Sequence, residues 1–469
     1  MYPYRILEDH HIAPIGEAVL IVLERVGVLC QSEELLAALA AGGAEVDPPR
    51  QIARMPRTLT EPLLAQLRRE APPEDREPQR FAPPGQPGLG TQVAQILYDY
   101  GTGERQAGDR EGLTRCARFG DALHGESGVG HCLLLTDVPP MVEPMEAGLI
   151  LARHTRRPGP PFAWHVDQVP YLIEMGEILG LPGWYTWGAI CFAHPLRFDR
   201  DVVARFVARA KLGDPVGLTA MPVAGVTTPI TVAGFVTMCA AELVATWIAA
   251  RAINPHAPFT GSIWGGALDM RTGDVSYSSF DAMFYALAAS EFLRRWTGHL
   301  IPVGGGEYSS AREPGYYAAM EKAHKAMTIA AFTGQPPSIG SGMLESGRTL
   351  CLVQLLLERE LTEGVRIYSR DIEVSTATLC LDDILAVEHG LERSFLSTDS
   401  VLRDYRQYSW CPPTLERDGW RGAQTDERVL QRLQARVDDL IASHVDPPVD
   451  EDRLAAAARV ARRARTELL

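Results

Sequence analysis

The sequence predicts an α/β protein: a TIM (β/α)8 barrel preceded by N-terminal helices and followed by a helical C-terminal extension. Three observations carry that expectation. From about residue 129, short apolar runs alternate with helix-length amphipathic segments, the pattern of a parallel sheet. The runs "GVGHCLLL", "PFAWHV", "YTWGAICFAH", "PVGLTAMPV", "FTGSIW", "HLIPVGGG" and "PPSIGSGML" start near residues 129, 160, 185, 215, 259, 299 and 336. Seven or eight such units favour a closed barrel over an open doubly wound sheet. Lastly, 469 residues exceed what one simple core accommodates, so appendages or a second domain are expected.

Taken in order, residues 1–90 read as N-terminal helices and a Pro-rich arm. "IGEAVLIVLERVGV" places apolar residues at helical spacing, and "SEELLAALAAGG" begins on a Ser cap and stops at Gly. Residues 71–90, "APPEDREPQRFAPPGQPGLG", hold six prolines and read as a linker or a wrapped extended arm. Residues 91–365 form the expected barrel. One of its helices, "DRDVVARFVARAKLG", closes with Gly213 at the C-cap position. The eighth strand lies either near Val93 to Tyr98 or after residue 365. Residues 366–469 are expected to be helical. "RVLQRLQARVDDLIASH" and "EDRLAAAARVARRARTELL" are amphipathic, which suits packing on the outside of the barrel better than docking a partner.

Between Val216 and Ala241 no Asp, Glu, Lys or Arg occurs. Pro222, Pro229 and Gly225 break that run into two elements, which speaks against a single membrane-spanning helix. "VGLTAMPV" reads as a strand buried on both faces. Gly225 then makes a turn, Thr228 caps the next helix and Pro229 is its first residue. In a barrel this turn lies on the catalytic face, where its small uncharged rim admits a bulky ligand close to the backbone.

Composition excludes several function classes. The net charge of -14 argues against nucleic acid and is compatible with a cationic ligand. The eight cysteines form neither a CxxC pair nor a zinc-like spacing with His, so no metal site is expected and a reducing cytoplasm is the expected compartment. No secretory signal is evident. No Walker motif, H-E-x-x-H or G-x-S-x-G occurs, which disfavours phosphoryl transfer, zinc proteolysis and elbow-type hydrolysis.

Several segments together resemble one family. They are "EAVLIVLERVGV", "YDYGTGERQAGDREGLTRCARFGDAL", and "HPLRFDRDVV" followed by "PVGLTAMPVAGVTTPITVAG". "GALDMRTG", "MEKAHKAMTIAAFTGQPPSIGSGMLESG" and "RDIEV" follow in order. This set resembles the trimethylamine:corrinoid methyltransferase family, in the branch that lacks pyrrolysine and includes glycine betaine methyltransferases. The resemblance implies a TIM barrel that transfers a methyl group from a methylated, quaternary amine to cobalt. The cobalt belongs to a corrinoid carried by a separate small protein, with no cofactor held tightly by this chain. The chain has no corrinoid-ligating D-x-H-x-x-G, since Asp9-His10-His11 is followed by Pro14 where Gly is required. "GGGEYSSAREPGYY" departs from the family pattern, offering Ser310, Arg312 and Gly315 where an acidic and lysine-bearing segment is expected. Two alternatives therefore stand: a non-catalytic betaine-binding barrel, or a methyltransferase acting on an O- or S-methyl donor. A homo-oligomer is a further expectation.

The implied chemistry asks the protein to hold a cation, align a methyl group and exclude water. Aromatic faces recognise quaternary ammonium, sometimes backed by a carboxylate. Residues at the C-terminal ends of the strands are the candidates: Trp164, His165, His194, Trp264 and Tyr308 for substrate, with Glu345 as the acidic catalytic candidate. Arg348 is a possible ion-pair partner for Glu345. Gly225, Thr228, Gly304, Gly305 and Gly306 are the candidate corrinoid-facing positions. Asp269 and Arg271 read as a self-satisfying ion pair.

Overall fold

The computed structural model describes residues 5–73, 85, 89–90, 92–125, 127–304, 307–337, 339–389, 391–415, 419 and 422–469. The Pro-rich stretch 71–90 lies mostly outside these residues. The helices Asp9–Arg25 and Glu33–Ala41 open the chain. Ser32 caps the second by accepting from the Leu35 amide at 3.2 Å, and Gly42 ends it. A small sheet follows, in which Val28–Cys30 pairs antiparallel with Ile52–Arg54 and parallel with Arg197–Phe198.

The apolar runs pair as parallel neighbours in chain order. Leu89 lies beside Val129, and Val129 beside Pro158. Phe162–Ala163 pairs with Thr186–Trp187, and Ile190 lies beside Leu218. Gly217–Ala220 pairs with Thr260–Ile263, and Ile263 lies beside Val303. A helix-bearing connection follows each segment, as a right-handed parallel crossover requires. The segment that begins this series is Leu89 to Ala94, the latter beside Leu133, so the order starts at the Val93 end rather than after residue 365. Ile96–Asp99 instead forms a hairpin with Glu104–Ala107 and pairs with Thr349–Leu350. Among the described residues the series does not close: no pairing links Val303 back to Leu89. The strands are two to four residues long, far shorter than the apolar runs. Pro158, Pro160, Pro161 and Pro302 interrupt those runs and lack the amide a ladder needs.

The Arg200–Leu212 helix ends at Gly213 in the left-handed conformation, as the sequence indicates. The next helix is a correction. It spans Val232–Ile253 and is capped by Thr231, whose hydroxyl accepts from the Gly234 amide at 3.3 Å. Thr228 does not cap it. Gly225 turns the chain at φ +83, Ala224 bridges to Thr228, and the buried Thr228 hydroxyl faces the Val223 and Pro229 carbonyls at 3.4 and 3.2 Å. The loop thus consumes three more residues before the helix starts. The Val232–Ile253 helix is long and apolar enough to cross a membrane. It is apolar on all sides because it is buried on all sides, with residues 239–250 continuously covered.

Two large cores divide the molecule. One joins the N-terminal helices to the Val232–Ile253 and Phe280–Thr297 helices and the strands beneath them. The other joins the Arg110–His124, Glu143–His154 and Val169–Leu179 helices to Thr425–Ser443 and Glu451–Leu468 near the C-terminus. Polar ties reinforce that second contact: His444 meets Asp121 at 3.2 Å, and Arg118 grips Asp446 with two bonds of 3.3 and 3.1 Å.

Candidate active site

The strands present two unlike faces. Ile190, Leu218, Ala220 and Ile263 point outward and are almost fully buried beneath helices. Their alternating neighbours point the other way: Ala189 is exposed, and Cys191, Thr219, Met221, Ser262 and Trp264 are half-buried. Ser262 donates to the Thr219 hydroxyl at 3.3 Å across the Thr260–Ile263 and Gly217–Ala220 pair, which places both on one face. A core filled by side chains would bury both faces equally. Here the inward face carries small and polar groups and leaves solvent-accessible space between them.

At the C-terminal ends of these strands an aromatic cluster borders that space. Trp264 and Tyr308 meet edge to face, with centroids 4.7 Å apart and planes at 72°. Tyr277 approaches Tyr308 from another side at 6.1 Å and 66°. Such tilted contacts are the preferred geometry of aromatic pairs and leave ring faces available. Two glycines make the cluster possible. A Cβ at Gly304 would stand 2.0 Å from the Trp264 indole nitrogen, and one at Gly347 would stand 2.4 Å from the Tyr308 ring. Gln92 donates to the Tyr308 hydroxyl at 2.7 Å. Burial pushes the Tyr308 phenol up, so it stays protonated.

Beneath the rings lies a buried set of charges from the Tyr316–Thr333 and Leu352–Arg366 helices. Lys322 pairs with Glu358 at 2.8 Å and also donates to the Glu307 carbonyl. Glu358 is saturated, accepting from the amides of Gly340 and Gly342 and from Gln354 at 2.9, 3.1 and 3.0 Å. Lys325 donates to the Tyr277 carbonyl at 2.8 Å and lies 5.9 Å from the Tyr308 ring centroid. Burial pulls its amine down to about 7, against the opposing pull of Glu307. Burial likewise pushes the Glu307 carboxyl up, and its Oε2 has no hydrogen-bond partner.

Of the residues chosen from sequence, the structure brings Trp264, Tyr308 and Gly304 together. Gly305 and Gly306 lie outside the described residues. Gly225 is an exposed turn at the end of the Gly217–Ala220 strand, and Thr228 is turned into its own loop. Trp164 is half-buried: its indole donates to Glu143 at 2.9 Å, its ring stacks on Phe162 at 5.5 Å, and it lies with Arg205 beside Gly188. His165 is exposed and caps the short turn Val166–Gln168, accepting from the Asp167 amide at 3.3 Å. His194 is structural, with Nδ1 on Glu242 at 2.7 Å and Nε2 accepting from the Met221 amide at 3.0 Å. Glu345 turns away from the cluster to Arg105, 3.0 Å distant, and to the Thr349 hydroxyl; Arg348 is not its hydrogen-bond partner. Burial raises its carboxyl, but Thr349 and Arg105 outweigh that and hold it below the usual range. Asp269 and Arg271 form the expected exposed pair at 3.0 and 2.8 Å.

Sequence reasoning missed Gln92, Cys191, Tyr277, Glu307, Lys322 and Lys325. For the lysines a signal existed. Lys322 and Lys325 share one helical face with Ala318, Ala326 and Ile329, all buried, and a lysine on an apolar face needs an internal partner.

Comparison with known proteins agrees with this geometry. The profile of the trimethylamine methyltransferase (MTTB) family matches residues 184–467. The chain is 23% identical to the trimethylamine methyltransferase MttB of Desulfitobacterium hafniense over 96% of its own length and 92% of the relative's. It is 26% identical to trimethylamine methyltransferase MttB2 of Methanosarcina mazei over 56% of this chain and 53% of that one. A glycine betaine methyltransferase of Desulfitobacterium hafniense matches at 24% over 55% and 53%. The chain thus spans about half the length of most of these curated relatives in alignment. The matched region runs from the Thr186–Trp187 strand through the aromatic cluster to the last helix and exceeds half of the sequence, so the chain belongs to the trimethylamine methyltransferase (MTTB) family.

Proposed function

We propose that this protein is a methyltransferase that takes a methyl group from a quaternary amine and delivers it to the cobalt of a corrinoid carried by a small partner protein. The observation that carries this reading is the cluster of Trp264, Tyr277 and Tyr308 beside the partly accessible inward face of the strands. The names of the relatives, which include trimethylamine and glycine betaine methyltransferases, support the substrate class. The in-order parallel segments support a TIM barrel over residues 91–365, with the helices after residue 366 as an outer extension.

A permethylated nitrogen has no N–H to donate, so ring faces and diffuse negative charge must hold it. Each ring contributes about 0.5–2 kcal/mol. Glu307, behind Tyr308, supplies the countercharge that Glu345 does not. The departing amine leaves neutral, so no general acid is required of the protein. The corrinoid supplies the nucleophilic metal when its carrier docks. The fold suits such docking: Val226, Ile230, Phe280, Tyr316 and Tyr317 are exposed on loops and helix starts that follow the strands. Exposed apolar groups on the rim of a cavity mark an interaction surface. Phe280 lies 4.0 Å from the His324 ring, and the Tyr285 hydroxyl donates to the Ile230 carbonyl at 2.6 Å.

The test is methyl transfer to reduced free cobalamin with a panel of betaines and trimethylamine. Methylation of cobalamin by one quaternary amine is the expected result. Tight betaine binding without turnover under any corrinoid supply would instead favour a non-catalytic binding barrel. Turnover confined to O-methyl or S-methyl compounds would move the substrate class.

A further inference from the structure

The aromatic cluster already has a cation beside it. Lys325 is fully buried, its amine lies 5.9 Å from the Tyr308 ring centroid, and it donates to the carbonyl of Tyr277, the second ring of the cluster. Its surroundings do not fix its proton. Lys322 takes the saturated carboxylate Glu358. Glu321, on the same helix, spends one oxygen on the Ser309 hydroxyl and the Ser310 amide, both at 2.7 Å. His324 is adjacent and faces Phe280. Across the loop, Glu307 keeps an unpartnered oxygen, and the Cys191 thiol, pushed up to about 11 by burial, stays uncharged. Lys325 thus shares a dry compartment with one incompletely bonded carboxyl and two protonated phenols.

We propose that Lys325 is a proton gate: a quaternary ammonium binds at the aromatic cluster when Lys325 is the neutral amine, and binding expels the lysine's proton to solvent. The proposal rests on the cation-binding reading above and deepens it. An ammonium and a protonated lysine on opposite sides of one ring repel each other in a low-dielectric space, so ligand and proton compete. The lysine near 7 makes the competition relevant at neutral pH. The sign follows from linkage: the neutral amine predominates above about pH 7, so cation affinity is full there and falls as pH drops. One competing proton weakens binding about tenfold between pH 8 and pH 6. A ligand without positive charge meets no such repulsion, so its binding should expel no proton and should not vary with pH over this range.

Isothermal titration with tetramethylammonium at pH 7, in buffers of different ionisation enthalpy, counts the protons. Wild-type protein is expected to release about half a proton per ligand, as a half-protonated amine requires. Lys325→Met should bind with no release and lose the weakening at pH 6. Lys325→Arg, which keeps its charge throughout, should bind weakly at every pH, again with no release; it serves where the Met variant does not fold. Glu307→Gln, which removes the carboxyl that helps the lysine keep its proton, should release less than wild type at pH 7. Binding without proton exchange in the wild type, or release that persists in Lys325→Met or Lys325→Arg, would overturn the gate and leave the cation site standing. Absence of any tetramethylammonium binding would overturn both.

Discussion

Buried acids occur in two kinds of surroundings in this molecule. Glu143 accepts from the Leu135 amide and Trp164 while bonding His131, and Glu242 accepts from the Leu196 amide and bonds His194. In both, the second imidazole nitrogen also accepts from a backbone amide, of Phe162 or Met221. Every strong valence is used, and these networks simply fasten strand ends to covering helices. The Glu307–Lys325 region differs. Its carboxyl keeps a free oxygen, its amine has lost solvation without gaining a carboxylate at bonding distance, and aromatic faces stand beside both. Completed hydrogen bonding marks architecture, whereas unfinished hydrogen bonding next to open space marks a place where a ligand completes the set.

Substitutions can break or sharpen this contrast. The largest effect belongs to the charge pair beneath the site. Lys322→Met leaves Glu358 buried without its cation, and about 3–5 kcal/mol of stability should be lost, read as a lower urea midpoint. Next, Glu242→Gln removes the charge from a saturated network; about 1–3 kcal/mol should be lost with little change in ligand affinity at permissive temperature. The opposite signature is expected in the cluster. Trp264→Ala should cost about 0.5–2 kcal/mol of betaine binding, or roughly twofold to thirtyfold in Kd by titration, with a smaller effect for Tyr308→Phe, which keeps its ring. If Trp264→Ala instead unfolds the protein and leaves affinity unchanged, the division of roles is wrong. The smallest effect is at Glu345, whose partly exposed pair with Arg105 is worth less than about 1 kcal/mol. Because its folded carboxyl lies below the ordinary range, the stabilisation is present above that range and fades on acidification. Wild type and Glu345→Gln should therefore converge in urea midpoint as pH falls below about 4.

Much of this was legible in the chain. Parallel strands covered by helices announce themselves as apolar runs at regular intervals, and the ends of those runs carry Trp264 and Tyr308, whose rings the structure brings into contact. Where the reading failed, a local rule met a tertiary choice. Thr228 and Thr231 are equally good caps in isolation, and only the turn at Gly225 decides between them. Trp164 and His165 end a run just as Trp264 does, but Glu143 takes the indole N–H and His165 is spent on a cap. The local pattern offers Arg348 as the partner of Glu345, whereas the actual one, Arg105, comes from a hairpin far earlier in the sequence. The lysines escape a sequence reading because charge on a helix ordinarily means water, and their partners, Glu358 for Lys322 and the Tyr277 carbonyl for Lys325, come from other segments.

The way the two cores are covered carries a further consequence. The first-made helices lie over the later half of the strand series, and the last-made helices lie over the earlier half. A nascent chain leaving the ribosome therefore holds its early strands and helices ready while their apolar outer cover, Val429 to Ala464, is still being synthesised. Until that segment emerges, the apolar surface it covers has no partner among the helices already made.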